Sequence, residues 1–94
     1  MKQKFFYCYI LYSSKLNQSY VGYTSNLKQR LVDHHNNPTR TTARADDWKL
    51  VWYASFRSKE LAEKFEKYLK TGNGRVFMRK RLIGNLVEVN DNKE

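Results

Sequence analysis

Residues 17–30 read Asn17-Gln18-Ser19-Tyr20-Val21-Gly22-Tyr23-Thr24-Ser25-Asn26-Leu27-Lys28-Gln29-Arg30. Residues 19–23 are short, aromatic and β-branched, which predicts a strand. Thr24, Ser25 and Asn26 are all residues whose side chains cap a helix N-terminus, so a helix is expected to start at once. Leu27 and Leu31 mark its buried side, and Arg30 falls beside them, with His34 one turn further on. A guanidinium held against a core is costly unless a partner completes it. The plain alternative is that Arg30 lies along the core with its head in water and that His34 is a half-buried core histidine.

Upstream, residues 5–12 read FFYCYILY. They are too short for a helix and apolar throughout, which predicts a strand covered on both faces. Residues 13–17 are turn-like, so the two strands form a hairpin. With a loop at residues 13–16, Tyr12 is expected to face Asn17, and Tyr9 to face Tyr20 as a side-by-side pair on one sheet face. Such a pair can also serve packing alone.

Downstream, the helix is expected to end by Asn36-Asn37-Pro38. Residues 37–47 form a long polar loop carrying Arg40 and Arg44, and long loops in small domains are often functional. Residues 48–56 predict a third strand. Ser58 caps a second helix over residues 59–70, with Leu61, Ala62, Phe65, Tyr68 and Leu69 on one face and Glu66 on its shoulder. Gly72 is expected to stop that helix, and Asn73 to cap a third one that ends near Gly84; residues 88–94 look frayed. The order β-β-α-β-α-α is an α+β arrangement: a small three-stranded, mostly antiparallel sheet flanked by helices. At 94 residues it is expected to be one domain, with a core over residues 5–84 and no room for a second.

Lys and Arg number 18 against 9 Asp and Glu, a net charge of +9 that points to a polyanionic partner, nucleic acid first and an acidic membrane surface second. The longest apolar run is far too short to span a bilayer, and no signal-peptide cleavage site is read. One cysteine excludes an internal disulfide and a multi-cysteine zinc site. A cytoplasmic protein is expected. Cys8 reads as a buried strand residue. The adjacent His34 and His35 point to different sides of a helix and do not make a zinc site. A carboxylate beside the core, Glu66, needs an ion-pair partner or a metal.

Taken together, Tyr20-Val21-Gly22, Tyr9 eleven positions earlier, Arg30 eight positions after Gly22, His34 a turn later and Glu66 on the helix after the third strand resemble the GIY-YIG nucleases. Of the first motif only its tyrosine remains, since Tyr7-Cys8-Tyr9 stands in its place. Residues 66–82, EKYLKTGNGRVFMRKRL, resemble the small single-domain bacterial members.

The resemblance implies a divalent-metal-dependent endonuclease acting on DNA, in repair or recombination, with catalytic residues Tyr9, Tyr20, Arg30, His34 and Glu66. Glu66 would hold Mg²⁺ or Mn²⁺, an ion that takes few carboxylates and keeps several waters. Arg30 would face the phosphate, and Tyr9 or Tyr20 would act as base or orient the water, the sequence not choosing between them. Nearby cations are expected to favour the phenolate. Arg40, Arg44, Arg75, Arg79, Lys80 and Arg81 are candidate contacts to the DNA backbone, which confer affinity without base readout. Weak sequence specificity, selectivity for DNA structure, or targeting by a partner protein follows. RNA stays open as a substrate. A non-catalytic nucleic-acid binder that stacks bases on an aromatic sheet, or an interaction adaptor on the same fold, is the alternative.

Overall fold

The computed structural model describes residues 4–36 and 42–84. Arg40, Asn37, Pro38 and the tail at residues 85–94 lie outside the described residues. The apolar run forms β1 (Phe6–Ser13), whose residues from Cys8 onward are all buried. It is the middle strand of a three-stranded antiparallel sheet, between β2 (Gln18–Thr24) and β3 (Lys49–Phe56), in the order β2-β1-β3. A strand apolar on both sides belongs in that position, because each of its faces can then be covered by another layer.

The hairpin closes one residue later than expected. Ser13 pairs with Gln18, and Asn17 takes the left-handed backbone conformation at φ 53°, which asparagine tolerates better than most residues. The pairing therefore shifts by two: Tyr9 faces Gly22 and Tyr20 faces Leu11. A shift of two keeps every side chain on its face, so Tyr9 and Tyr20 are diagonal neighbours on one side, with ring centroids 6.5 Å apart. Tyr12 still reaches Asn17, through its hydroxyl to the Asn17 Oδ1.

Cys8 and Ile10 point to the other side. There they pack with Val21, Leu69, Met78 and Ile83 into the hydrophobic core. A bulge between Ile10 and Leu11 in the β1–β3 pairing adds a residue to β3, and the adjacent Val51 and Trp52 both pack against this core. Helix α2 (Lys59–Leu69) covers it. Ser58 caps α2 as expected, its hydroxyl accepting from the Leu61 N–H at 3.2 Å.

The buried stripe of α2 is rotated from the expected one. Ala62, Glu66 and Leu69 are buried, whereas Leu61 and Tyr68 are 50% and 42% exposed. The small Ala62 lets the helix approach the sheet, and Phe65 turns inward between Trp52 and Phe56, with centroids 5.8 and 5.7 Å away. Glu66 is carried into the core by that rotation.

Gly72 does not stop α2. It is the first residue of α3 (Gly72–Phe77), and Thr71, not Asn73, caps that helix by accepting from the Gly74 N–H at 3.0 Å. A Cβ at Gly74 would lie 1.7 Å from the Tyr68 carbonyl oxygen, so only glycine allows α3 to start so close to the end of α2. Met78–Leu82 continue in wider, π-type turns, with the Ile83 N–H donating to the Met78 carbonyl at 2.9 Å.

The opposite face of the sheet receives α1 (Leu27–Asn36). Asn26 caps it, its Oδ1 accepting from the Gln29 N–H at 3.1 Å. Asp47, from the segment before β3, grips the hairpin turn: it accepts from the Ser13 hydroxyl at 2.6 Å and the Lys15 N–H at 2.9 Å. Among the described residues, no helix is long and apolar enough to cross a membrane.

Candidate active site

Helix α1 lays His34 over the two phenols. The Tyr9 hydroxyl and His34 Nε2 are 2.9 Å apart, and both tyrosine rings meet the imidazole edge-on, at 5.8 Å for Tyr9 and 5.1 Å for Tyr20. Tyr9 is fully buried. Its ring lies across Gly22, where a Cβ would stand 2.5 Å from the phenol oxygen. The glycine of the Tyr-Val-Gly motif is thus the space that admits the Tyr9 ring.

Burial pushes the Tyr9 phenol up to about 12; the charge of Tyr20 acts in the same direction, and Arg30 opposes both by charge and hydrogen bonding without prevailing. The expectation that nearby cations favour the Tyr9 phenolate is corrected on this point: desolvation of a phenolate outweighs one adjacent guanidinium. His34 is held below its usual range by burial, then by Arg30, with Asp33 opposing. Neutral imidazole is the resting form at pH 7, and its Nδ1 is buried with no hydrogen-bond partner among the described residues.

Tyr20 is half-buried and belongs to an edge strand. It also lines a groove of about 780 Å³ together with Asn17, Ser19, Lys70, Arg75 and Arg79. Of the other basic candidates, Lys80 and Arg81 are exposed on the Met78–Leu82 segment. Arg44 is exposed and donates to the Gln18 Oε1 at 3.3 Å.

Glu66 stands apart from this cluster. It faces the core side of the sheet, close enough to Cys8 that its charge, after burial itself, raises the thiol to about 12. Tyr9, Tyr20, Arg30 and His34 are brought together, while α2 places Glu66 on the Cys8 side of the sheet. The physical reason is the rotation of α2, which turns the carboxylate under β1. Its connection to the groove is Lys70, one helical turn on, which forms an ion pair with the Glu66 Oε2 and lines the groove alongside Tyr20. The i, i+4 spacing from Glu66 is the sequence signal for this pair.

Among the described residues no three His, Cys, Asp or Glu side chains gather as a metal cluster. Glu66 is the carboxylate suited to a hard divalent cation: its side chain is 10% exposed, and its Oε2 is paired with Lys70. One carboxylate fits an ion that keeps most of its waters and does not fit a closed zinc site.

A model of the GIY-YIG catalytic domain matches residues 5–81. The chain is 34% identical over 89 residues to "Uncharacterized protein L300" of Acanthamoeba polyphaga mimivirus, covering 89% of this chain and 51% of that protein, so it spans about half the length of this relative. No solved structure matches the chain.

Proposed function

Because the chain belongs to the GIY-YIG family, whose members have a nuclease-type function, we propose that it is a divalent-metal-dependent endonuclease that hydrolyses DNA phosphodiester bonds. Its selectivity comes from DNA structure or a targeting partner rather than from base readout, and its proposed setting is DNA repair or recombination. The observation that carries this reading is the double placement of Tyr20. Its ring packs on His34, and it forms a wall of the groove lined by Lys70, Arg75 and Arg79.

The division of labour follows from burial. Tyr9 has no access to solvent and stays protonated at neutral pH; it orients the His34 ring through the Nε2 contact. Tyr20, at the open edge, is the phenol that meets the attacking water. As the new oxygen–phosphorus bond forms and the bond to the leaving oxygen breaks, Tyr20 in its ionised form takes the proton of that water, and the leaving oxygen takes a proton from solvent; His34 packs edge-on against the Tyr20 ring and holds it in place. Arg30 offers a planar fork of donors to the phosphate oxygens as negative charge builds. A divalent ion held by Glu66 would have to meet the phosphate at the β2 edge, where Lys70, the ion-pair partner of Glu66, lines one groove with Tyr20; there it would polarise the phosphate and favour departure of the leaving oxygen. Arg75 and Arg79, with Arg44, Lys80 and Arg81 further out, hold the backbone.

Nicking of supercoiled plasmid tests the proposal. Cutting is expected in Mg²⁺ or Mn²⁺, lost in EDTA, and strongly reduced in Arg30→Ala and Glu66→Gln with DNA binding retained. Cutting unchanged in both variants would overturn the assignment. DNA binding without cutting in any divalent ion would favour the non-catalytic binder.

A further inference from the structure

The ion pair between Lys70 and Glu66 joins a buried group to a half-exposed one. The Glu66 side chain is 10% exposed, and Lys70 is half exposed at the C-terminal cap of α2. A carboxylate so enclosed is unfavourable without a compensating charge, and Lys70 is the ion-pair partner found for it among the described residues. The lysine is also a wall of the groove shared by Tyr20, Arg75 and Arg79. Its flexible four-carbon stem with a compact charge can exchange one anionic partner for another nearby.

We infer that Lys70 is a built-in stand-in for the divalent cation. It neutralises Glu66 while no metal is bound, and it transfers to a substrate phosphate when the metal takes the carboxylate. The inference rests on the reading of Glu66 as the metal's carboxylate. An ammonium and a divalent ion cannot both sit tightly on one buried carboxylate, because they repel each other at short range. Metal entry therefore frees a cation that faces the groove, and a phosphate in the groove gives that cation a new partner. Metal and DNA each strengthen binding of the other, as linkage requires. Lys70 is thereby a positioning residue that keeps the unliganded protein folded and holds the metal back until substrate is present.

The test compares wild type with Lys70→Gln and Lys70→Arg, using Mn²⁺ alone as the probe. Affinity is read by electron paramagnetic resonance of free Mn²⁺, and folding by melting of the metal-free protein. Removing the competing charge is expected to tighten Mn²⁺ binding by about three- to tenfold, while the metal-free melting temperature falls. Lys70→Arg restores both toward wild type. A nuclease-resistant phosphorothioate duplex tightens Mn²⁺ binding in wild type more than in Lys70→Gln. If glutamine perturbs the helix by circular dichroism, Lys70→Met keeps the stem and supplies the same comparison. Equal or weaker Mn²⁺ affinity in the neutral variants overturns the inference. Glu66→Gln separates the two layers. Loss of Mn²⁺ binding there with no effect at Lys70 sinks the lysine's role alone, whereas unchanged binding in Glu66→Gln sinks the metal reading and this inference with it.

Discussion

The Tyr9 hydroxyl and His34 Nε2 stand 2.9 Å apart, and this contact ties the central strand of the sheet to the helix that follows the hairpin. No residue of α1 is fully buried, so a polar contact carries part of the docking that apolar burial carries elsewhere. Tyr9→Phe keeps the ring over Gly22 but leaves both imidazole nitrogens without a protein partner. A loss of about 1–2 kcal/mol is expected, measured as a lower urea midpoint at unchanged slope. A Tyr9→Phe protein as stable as wild type would mean that the contact contributes nothing net.

The pH dependence of stability has a limb on each side. His34 titrates lower in the folded protein than its ordinary 6.5. Between the folded and unfolded values the unfolded chain binds more protons, so its contribution is complete above pH 6.5 and is lost as pH falls below it. Tyr9 and Cys8 are both raised to about 12, from 10.0 and 9.0. Their contributions are complete below pH 9–10 and are lost as pH rises toward 12. Thermal melting from pH 5 to 7 should rise less steeply in His34→Gln than in wild type. The thiol of Cys8 should resist alkylation at pH 8 until the protein is unfolded, and rapid labelling of the native state would contradict its burial.

Gly22→Ala is expected to destabilise by about 1–3 kcal/mol, because the new Cβ would meet the Tyr9 oxygen and Cζ at 2.5 and 2.7 Å. Tyr9 has no room to retreat, being fully buried between Gly22, Tyr20 and His34. In the double variant Tyr9→Leu, Gly22→Ala the clash is removed, so the two effects should be less than additive. Strict additivity would place the cost of the methyl somewhere other than the Tyr9 ring.

These pairings show what a single sequence can and cannot supply. The hairpin, the cap at Ser58, a cap of α1 among Thr24, Ser25 and Asn26, and a doubly covered strand at residues 5–12 follow from local chemistry, and they were legible; the choice of Asn26 and the middle position of that strand were not. The register error left each tyrosine on its proper face, because strand periodicity survives a slip of two. The rotation of α2 was not legible. A helical wheel centred on Leu61 counts hydrophobicity alone, while the real stripe is set by Phe65 fitting between Trp52 and Phe56 and by the small Ala62. The wheel therefore put Glu66 on a shoulder instead of under the sheet. The start of α3 was missed for a similar reason: Thr71 and Asn73 are both good caps, and the contact of Gly74 with the Tyr68 carbonyl, a tertiary constraint, selects the first.

The groove beside Tyr20 makes a claim about salt. Arg75 and Arg79 line it from α3 and the wider turns that follow, both exposed. If each neutralises one DNA phosphate, Arg75→Ala and Arg79→Ala should each reduce the slope of log affinity against log salt by about 0.9 on duplex DNA. Affinity should fall by similar factors on unrelated sequences, since phosphate contacts carry no base information. Fluorescence anisotropy on two unrelated duplexes over a salt series measures both quantities. Asp46 provides the contrast: its charge is turned to Lys15 at the hairpin turn, away from the groove, so Asp46→Asn should leave the slope unchanged. A slope insensitive to both arginines would move the DNA track off this edge of the sheet and leave Tyr20 without a bound backbone to face.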